Sequence, residues 1–309
     1  MSEINFKGRD FISLADYTRE ELFFLLEQAK ELKKNPLQPL LAGKNLALLF
    51  EKPSVRTRVS FEVGMNQLGG SAIMLPPEQV QLGKRESVAD VAKVLSRYVD
   101  GIMVRTFAHS TILELAENAD VPVINGLTDL LHPCQVLADL FTIWEKKGKL
   151  EGLKLVYLGD GSNNMAHSLM LGGAIMGLEV VIASSGEYRP DQSIAAKTQE
   201  LSAKYGGRVS FETDPQAAAR SADILYTDVW ASMGQESEAN LRRKVLAKYQ
   251  LNQALLECAK PDCLVMHCLP AHYGEEITLE VAQSANSVIY DQAENRLHAQ
   301  KAVLVQLLG

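Results

Sequence analysis

The chain has 309 residues, a length at which one hydrophobic core usually gives way to two packed domains. Hydrophobic residues make up 47% of the sequence and charged residues 22%, a composition that excludes wholesale disorder. The formal net charge of −7 argues against nucleic acid or an anionic membrane surface as the main partner.

Short apolar runs alternate with helical patterns along the first half of the chain. The runs predict strands at Asn45–Phe50, Ser71–Leu75, Gly101–Arg105 and Val121–Asn125. The helical patterns lie over Arg58–Leu68, from Ser87 onward, near Thr111–Ala119 and over about Pro133–Lys147. Ser87 and Asp90 have the spacing of a capping box, which marks the start of one of these helices. This order predicts a set of parallel strands joined by helices.

The polar stretch Lys146–Gly152 is the best candidate for a linker, because the same alternation restarts after it. A helix is predicted over Ala166–Gly177, and further helices lie between the later strands. The predicted strands are Leu153–Leu158, Glu179–Ser184, Arg208–Glu212, Ile224–Asp228, Cys263–Leu269 and Ser287–Tyr290. The predicted fold class is α/β, with two doubly wound parallel-sheet domains and the active site in the cleft between them. The domains are expected at residues 1–147 and 148–309, and the C-terminal helix from about 293 is free to pack back on the first domain.

The sequence contains no segment that predicts export or membrane insertion. Its first residues have no apolar leader, and the longest apolar stretch, Leu169 to Ala183, is interrupted by Glu179. Four cysteines are too few for a disulfide framework in a chain of this length, and they suit a reducing compartment. We therefore expect a soluble cytoplasmic protein.

Two hydroxyls and two arginines follow the first predicted strand. They are Ser54, Arg56, Thr57 and Arg58, and a helix comes directly after them. Free N–H groups at a helix N-terminus favour negative charge, and guanidinium groups match phosphate oxygens, so this segment predicts an anion-binding site. The alternative is a solvated basic turn.

Arg105 and His132 follow two further strands of the same set. Taken alone, Arg105 could form a surface ion pair, and His132 could be a satisfied histidine at a helix start. Because parallel strands end at the same edge of a sheet, both are expected beside the anion-binding segment. Together they would supply a phosphate clamp and donors for a carbonyl oxygen.

The second half of the chain places polar groups at its strand ends as well. Gly159–Asn164 has two glycines but lacks the third glycine and the later acidic residue of a dinucleotide site. Its two asparagines could hold the carboxylate or ammonium of a zwitterionic ligand. Asp228 precedes a polar, glycine-containing loop and suits an amine; the alternative is an ordinary helix cap from Ser232.

Cys258, Cys263 and Cys268 stand near His267, but their spacing is not that of a zinc finger, and steps of five residues line neither a helix face nor a strand face. We therefore predict no metal site. Asp291–Arg296 begins the last predicted helix and adds Arg296 near a strand end.

Four segments together resemble the aspartate/ornithine carbamoyltransferase superfamily over essentially the whole chain. Ser54–Arg58 is similar to its S-T-R-T-R motif and His132–Gln135 to its H-P-x-Q motif. Asp228–Gly234 is similar to the D-x-x-x-S-M-G loop of the ornithine branch. His267–Pro270 matches the H-C-L-P motif of that branch, whereas aspartate-specific members have H-P-L-P.

The resemblance implies transfer of the carbamoyl group of carbamoyl phosphate to the δ-amine of L-ornithine, giving L-citrulline and phosphate, as a step of arginine-biosynthesis or urea-cycle type. The family positions that bind carbamoyl phosphate correspond to Ser54, Val55, Arg56, Thr57, Gln81, Arg105, His132, Pro133, Cys134, Gln135, Cys268, Leu269 and Arg296. Those that bind ornithine correspond to Asn164, Asp228, Ser232 and Met233. The positions expected to act in catalysis are Arg105, His132, Cys268 and Arg296.

The implied reaction needs a neutral amine, although a free alkylamine has a pKa of roughly 10. Nearby arginines and desolvation would lower that pKa, and the leaving phosphate can accept the amine proton. Cys268 is then expected to contact the δ-nitrogen rather than to act as a covalent nucleophile. Val55 replaces the threonine of the common motif, so this position can contribute only main-chain contacts. No metal or organic cofactor is implied, and His272 and Tyr273 receive no role.

The resemblance also implies a homotrimer or a multiple of trimers, in which the loop Gln79–Glu86 reaches the neighbouring site. Judged by its residues alone, this polar loop could simply be solvated. Alternative functions are a transcarbamoylase acting on putrescine or an acylated ornithine, and a catalytically silent binding module on the same fold. The D-x-x-x-S-M-G segment disfavours both other substrates, since putrescine, for one, lacks the α-substituents that this segment would bind.

Overall fold

The computed structural model describes residues 4–231 and 236–309. The chain divides into two compact units, one comprising Met1–Phe141 and Glu294–Gly309 and the other Thr142–Ala293. Across the described ranges, none of the helices combines the length and the apolar character needed to cross a bilayer.

The first unit alternates strands and helices. After a 3₁₀ turn at Leu14–Asp16, its elements are α1 (Arg19–Lys34), β1 (Asn45–Phe50), α2 (Val55–Gln67), β2 (Ser71–Leu75), α3 (Pro77–Val80), α4 (Val88–Leu95), β3 (Gly101–Arg105), α5 (His109–Asn118), β4 (Val123–Leu127) and the start of α6 (Pro133–Lys147).

The strands of this unit form a parallel sheet in the order β2-β1-β3-β4. The chain leaves β1 for β2 on one side and later returns to β3 on the other, so the strand order reverses between β1 and β3. Ligands bind at such a reversal, outside the carboxyl ends of the strands. Helices α4 and α5 pack on the sheet in one apolar cluster, which includes Leu49 and Val104 of the strands and Val91 and Ile112 of these helices.

The second unit repeats the pattern. Its elements are the rest of α6, β5 (Lys154–Leu158), α7 (Asn164–Met176), β6 (Glu179–Ala183), α8 (Gln192–Tyr205), β7 (Arg208–Glu212), α9 (Pro215–Ala219), β8 (Ile224–Thr227), α10 (Ala239–Leu246), α11 (Gln253–Cys258), β9 (Leu264–His267), α12 (Leu279–Ala282) and the start of α13 (Ile289–Leu308), with 3₁₀ turns at Glu236–Glu238 and Ala247–Tyr249. The end of α13 belongs to the first unit.

The second parallel sheet has the order β7-β6-β5-β8-β9, and its strand order reverses between β5 and β8. Residues 165–176 of α7 are buried throughout, which is typical of a helix inside a core. On the central strands, Val156, Leu225 and Val265 belong to one apolar cluster with Leu246 of α10 and Leu255 of α11. The prediction of an α/β fold with two parallel sheets is confirmed.

Several local predictions differ from the structure: β4, for example, spans Val123–Leu127 instead of the predicted Val121–Asn125, and two further differences have a clear cause. The predicted strand Ser287–Tyr290 is wrong: Ser287 forms a single bridge with Val265, and α13 begins at Ile289. The β-branched run therefore supplies one bridge before the helix starts. Helix α2 begins at Val55 instead of Arg58, because the Ser54 side chain caps it by accepting the N–H of Thr57.

The glycines of the turn after β5 are explained by close packing. A Cβ at Gly161 would lie 2.6 Å from the carbonyl oxygen of Tyr188. Gly159 has a φ of +133°, and a Cβ there would lie 3.2 Å from the Trp230 ring. This part of a dinucleotide-like pattern is therefore required by the fold of the turn.

Candidate active site

In the first unit, predicted anion-binding residues lie at the reversal of strand order. Ser54 caps α2, whose first turn holds Arg56 and the buried Thr57. Arg105 ends the neighbouring strand β3, and His132 stands directly before α6; both are buried. A helix N-terminus and the ends of two strands thus converge, as their positions in the sequence predict.

A hydrogen-bonded chain links this cluster to the last helix. The Ser54 hydroxyl donates to Thr57 Oγ1 at 3.1 Å, and the Arg296 guanidinium donates to the same Thr57 oxygen at 3.2 Å. Arg296 also donates to Gln135 Oε1 at 2.7 Å, and the Gln135 amide donates to Asp139 at 2.8 Å. These bonds fix the Arg296 and Gln135 side chains before any ligand is bound.

The electrostatics of this unit favour an anion. Burial lowers the pKa of His132 well below its usual value, and Arg296, Arg105 and Arg56 lower it further. His132 is therefore a neutral imidazole near pH 7, which can donate one N–H. Three guanidinium groups act on one buried imidazole, an arrangement that would stabilise a phosphate.

Cys134 has a structural position in α6. Burial raises the pKa of its thiol to about 12, and its S–H donates to the carbonyl oxygen of Asn125 at 3.3 Å. Pro133, the first residue of the helix, is buried beside it. Cys134 is thus a protonated thiol rather than a nucleophile.

Other predicted residues of the first unit lie at its surface. Val55, the first residue of α2, exposes 78% of its surface. Gln81 ends α3 in a left-handed conformation with a φ of 44°, and it is exposed. In the part of the chain that the structure describes, the hydrogen bonds of Gln81 stay within residues 77–85. These hydrogen bonds do not connect Gln81 to the Arg56 cluster.

In the second unit, Asp228 follows β8 at the reversal of strand order and is buried. Its Oδ1 accepts two hydrogen bonds, one from the Cys268 S–H at 3.0 Å and one from the main-chain N–H of Val229 at 2.8 Å. Burial raises the pKa of Asp228, while His267, Cys268 and Val229 oppose that rise. A buried carboxylate that already collects donors is suited to a cationic ligand group.

Asn163 is the first of the two asparagines predicted to hold a zwitterionic ligand, although only Asn164 corresponds to a family position that binds ornithine. Its amide donates to the Tyr157 hydroxyl at 2.6 Å and lies 3.5 Å from Asp228 Oδ2, while its oxygen caps α7. The signal that marks it in the sequence is its place as the cap between strand and helix. Asn164 is the half-buried first residue of α7. Ser232 and Met233 lie outside the described residues.

The Cys268–Leu269 segment follows β9. The Cys268 and Leu269 side chains are partly exposed, and Leu269 has a φ of +58° before a cis peptide bond to Pro270. Possible metal-ligand atoms of Asp228, His267 and Cys268 lie within 4.8 Å of one another. Both ring nitrogens of His267 already have hydrogen-bonding partners, so this trio does not present three available ligands.

Comparisons with known proteins match both halves of the chain. Residues 9–145 match the family model for the carbamoyl-P binding domain of aspartate/ornithine carbamoyltransferases, and residues 151–307 match the model for their Asp/Orn binding domain. The chain belongs to the aspartate/ornithine carbamoyltransferase family. The family predicted from the motifs is therefore confirmed, and with it the assignment as a transferase.

Individual members of the family are similar over their full length. An ornithine carbamoyltransferase of Pyrococcus abyssi is 54% identical over 99% of this chain and 98% of its own. A structure of the Pyrococcus furiosus ornithine carbamoyltransferase is 53% identical, with a TM-score of 0.96 and coverage of 99% of both chains. An acetylornithine transcarbamylase complexed with acetylcitrulline is 32% identical, with a TM-score of 0.88 over 97% of this chain and 99% of that one.

Proposed function

We propose that this carbamoyltransferase transfers the carbamoyl group of carbamoyl phosphate to the δ-amine of L-ornithine, giving L-citrulline and phosphate. The observation that carries the choice of ornithine is the buried Asp228 carboxylate, which accepts the Cys268 S–H. A carboxylate there would attract the α-ammonium of ornithine and repel the side-chain carboxylate of aspartate. The relatives named ornithine carbamoyltransferase support the same choice.

The first domain, residues 1–147, would bind carbamoyl phosphate. Three arginines surround its anion-binding cluster, and Ser54 and Thr57 supply hydroxyls at a helix N-terminus. Because Val55 has no hydroxyl, it would contribute only its backbone N–H. Gln135 and Arg296 already contact each other and would orient the NH2 end of the carbamoyl group.

The second predicted domain, which begins at residue 148, would bind ornithine; Glu294–Gly309, and Arg296 with them, belong to the first unit. Asp228 would pair with the α-ammonium, and Asn164 at the start of α7 would contact the α-carboxylate. Ser232 and Met233 complete the proposed set by their resemblance to the family motif. The Cys268 thiol, which already donates to Asp228, would lie against the δ-nitrogen.

The chemistry then depends on orientation and charge. Arg105, Thr57 and the neutral His132 would stabilise the negative charge that grows on the carbonyl oxygen as the amine attacks. The tetrahedral intermediate collapses by breaking the bond from carbon to the phosphate oxygen, and the departing phosphate takes the proton released by the amine. No side chain is needed as a dedicated base.

We further propose that the enzyme is a cytoplasmic homotrimer or a multiple of trimers. Val55, Val59 and Val63 are exposed and spaced by four residues, so they form an apolar stripe along α2 that a second copy could cover. The four free cysteines suit a reducing compartment. A biosynthetic direction is supported by the relative from Pyrococcus furiosus that is named anabolic.

A substrate panel tests the proposed function. Purified enzyme is given carbamoyl phosphate with ornithine, N-acetylornithine, putrescine or aspartate, and each carbamoylated product is measured by mass spectrometry. We expect kcat/KM for ornithine to exceed that for each alternative by about 100-fold or more, because only ornithine combines an α-ammonium for Asp228 with a δ-amine as the nucleophile. A preference for N-acetylornithine or putrescine would contradict the proposal, and no product from any amine would favour the silent binding module.

A further inference from the structure

The backbone after β9 is held in an unfavourable conformation. Leu269 has a φ of +58°, in the left-handed region that non-glycine residues rarely adopt. Such a conformation is unfavourable and persists where the surroundings impose it. The groups that impose it here lie beneath the turn and are buried.

His267 provides the first of these contacts. Its ring is fully buried, and its Nδ1 accepts the Leu269 N–H at 2.8 Å. Because Nδ1 is an acceptor, the proton of the neutral ring is on Nε2, which lies 3.1 Å from Glu276 Oε1 and donates to it. The main-chain N–H of His267 is also fixed, since it donates to Gln292 at 2.9 Å.

Glu276 makes a second contact with the turn through Oε1, the oxygen that accepts from His267. Its Oε1 also accepts the His272 N–H at 2.6 Å, and the side chain is fully buried. One carboxylate oxygen therefore holds both ends of the turn, at Leu269 through the His267 ring and at His272 directly. Among the residues that the structure describes, Oε2 of Glu276 has no hydrogen-bonding partner.

We propose that Glu276 is a positioning residue of this enzyme, which acts through His267 to hold Cys268 against Asp228 and to orient the Leu269 backbone. The proposal rests on the proposed function, because it assigns that turn to the bound carbamoyl group and the δ-amine. Glu276 itself touches neither substrate. A turn displaced by about 1 Å would misplace Cys268 and slow carbamoyl transfer by up to about 100-fold.

The geometry requires an acceptor at Oε1 rather than a negative charge. Glu276→Gln keeps an oxygen at that position and places its NH2 where Oε2 makes no hydrogen bond. Glu276→Ala removes the acceptor, and Glu276→Asp keeps the charge but withdraws the carboxylate by about 1.5 Å. Glu275→Ala is the matched control, because Glu275 is the adjacent carboxylate and its side chain accepts from Arg243 instead of from His267 or the His272 N–H.

The experiment measures alkylation of Cys268 by iodoacetamide, quantified on the peptide that contains it, alongside kcat for citrulline formation. We expect Glu276→Ala and Glu276→Asp to raise the alkylation rate by about fivefold or more, because a released turn frees the thiol from Asp228. We expect both to lower kcat by about tenfold or more, with Glu276→Gln and Glu275→Ala within about threefold of the wild type. Circular dichroism identifies variants that do not fold.

Equal alkylation of the wild type, Glu276→Asp and Glu275→Ala would overturn the proposal, and Glu276→Asp keeps this test available where Glu276→Ala does not fold. Equal impairment of Glu276→Gln and Glu276→Ala would overturn the role of the acceptor. The alkylation assay needs no turnover. A wild type that does not carbamoylate ornithine would therefore refute the proposed function and leave the role of Glu276 to be judged by thiol reactivity alone.

Discussion

Asp228 is a buried carboxyl group, and burial makes it gain a proton at a higher pH than an exposed aspartate does. Burial raises its pKa, and the neighbouring Glu276 carboxylate adds to the rise, whereas His267 and Cys268 oppose it. When the carboxyl group gains a proton, it can no longer pair with an ammonium group at full strength. The residue proposed to bind the α-ammonium of ornithine is therefore also the one expected to limit ornithine binding in acid.

The pH dependence of the KM for ornithine tests this role of Asp228. In the wild type we expect this KM to rise as the pH falls through the raised pKa of Asp228. Asp228→Asn should raise the KM by about 10–100-fold near neutral pH, since it removes a charge-assisted contact, and it should abolish the acid rise. The KM for carbamoyl phosphate should change by less than about twofold.

Steady-state kinetics of both proteins from about pH 5 to pH 9 provide the measurement. The substrates ionise in the same way in the assays of the wild type and of Asp228→Asn, so this contribution cancels when the two proteins are compared. An acid rise of the same size in Asp228→Asn would assign the titration to another group. An equal loss of affinity for both substrates would contradict the division of binding between the domains.

Among the elements, strands were the most predictable. Buried parallel strands are continuous apolar runs, and β1 and β5 lie within a residue of their predicted limits. Helix starts were less predictable, because they depend on which side chain caps them: Ser54 starts α2 three residues earlier than its pattern indicates. Helix α1 was not predicted, although Thr18 and Glu21 form a capping box at its start.

The site was predictable where topology alone brings residues together. Arg105 ends β3 at the strand reversal of the first sheet, and Asp228 follows β8 at the strand reversal of the second, so the place of each follows from the strand order of its own sheet. The contact of Arg296 with Thr57 joins positions 239 residues apart, and only the folded packing creates it. Glu276 stands in a polar segment that reads as an exposed loop, so nothing in its neighbourhood indicates a fully buried carboxylate.

Helix α10 is anchored to the turn after β5 by Arg242. Its guanidinium pairs with the buried Asp160 and donates to the carbonyl oxygen of Trp230 at 3.3 Å. It also pairs with Glu238 at 3.0 Å and lies over the Tyr188 ring. One cation therefore connects the start of α10, the segment after β8 and the turn that leads into α7.

Removing this cation should destabilise the second unit. Arg242→Met leaves the Asp160 carboxylate buried without its partner, so we expect a loss of roughly 3–5 kcal/mol in the free energy of unfolding. Asp160→Asn should cost less, because Arg242 keeps Glu238 and the Trp230 carbonyl. In the double variant most of the loss should be recovered.

Urea unfolding followed by circular dichroism measures these changes, with Arg243→Met as the matched control. Arg243 lies next in sequence, but its pair with Glu275 is largely exposed, so its removal should cost less than about 1 kcal/mol. Similar losses in Arg242→Met and Arg243→Met, or additive losses in the double variant, would show that the buried pair does not anchor the helix.

At the scale of the whole molecule, the loop after α3 raises the question of assembly. Gln81 and Lys84 are exposed, and the described hydrogen bonds of Gln81 stay within its own loop. The family resemblance nevertheless implies that Gln81 contacts carbamoyl phosphate. In a cyclic trimer the interface is head-to-tail, so each site could combine the Arg56 cluster of one chain with Gln81 and Lys84 of the next.

Mixing two inactive variants tests this shared site. Arg56→Ala would remove the proposed phosphate contact, and the double variant Gln81→Ala/Lys84→Ala would remove the proposed loop contacts, so each alone should have little activity. After dissociation and random reassociation in equal amounts, about one site in four would pair an intact cluster with an intact loop. Activity should return to roughly a quarter of the wild-type value.

The control replaces Arg56→Ala by Arg58→Ala, whose side chain is exposed and paired with Glu62 one turn along the same helix. This variant should be active before mixing, which separates loss of the cluster from a general effect on α2. Differently tagged subunits and native mass spectrometry establish that hybrid trimers form. If hybrids form and activity stays at the level of the unmixed variants, each site is built within one chain, and Gln81 and Lys84 act there or not at all.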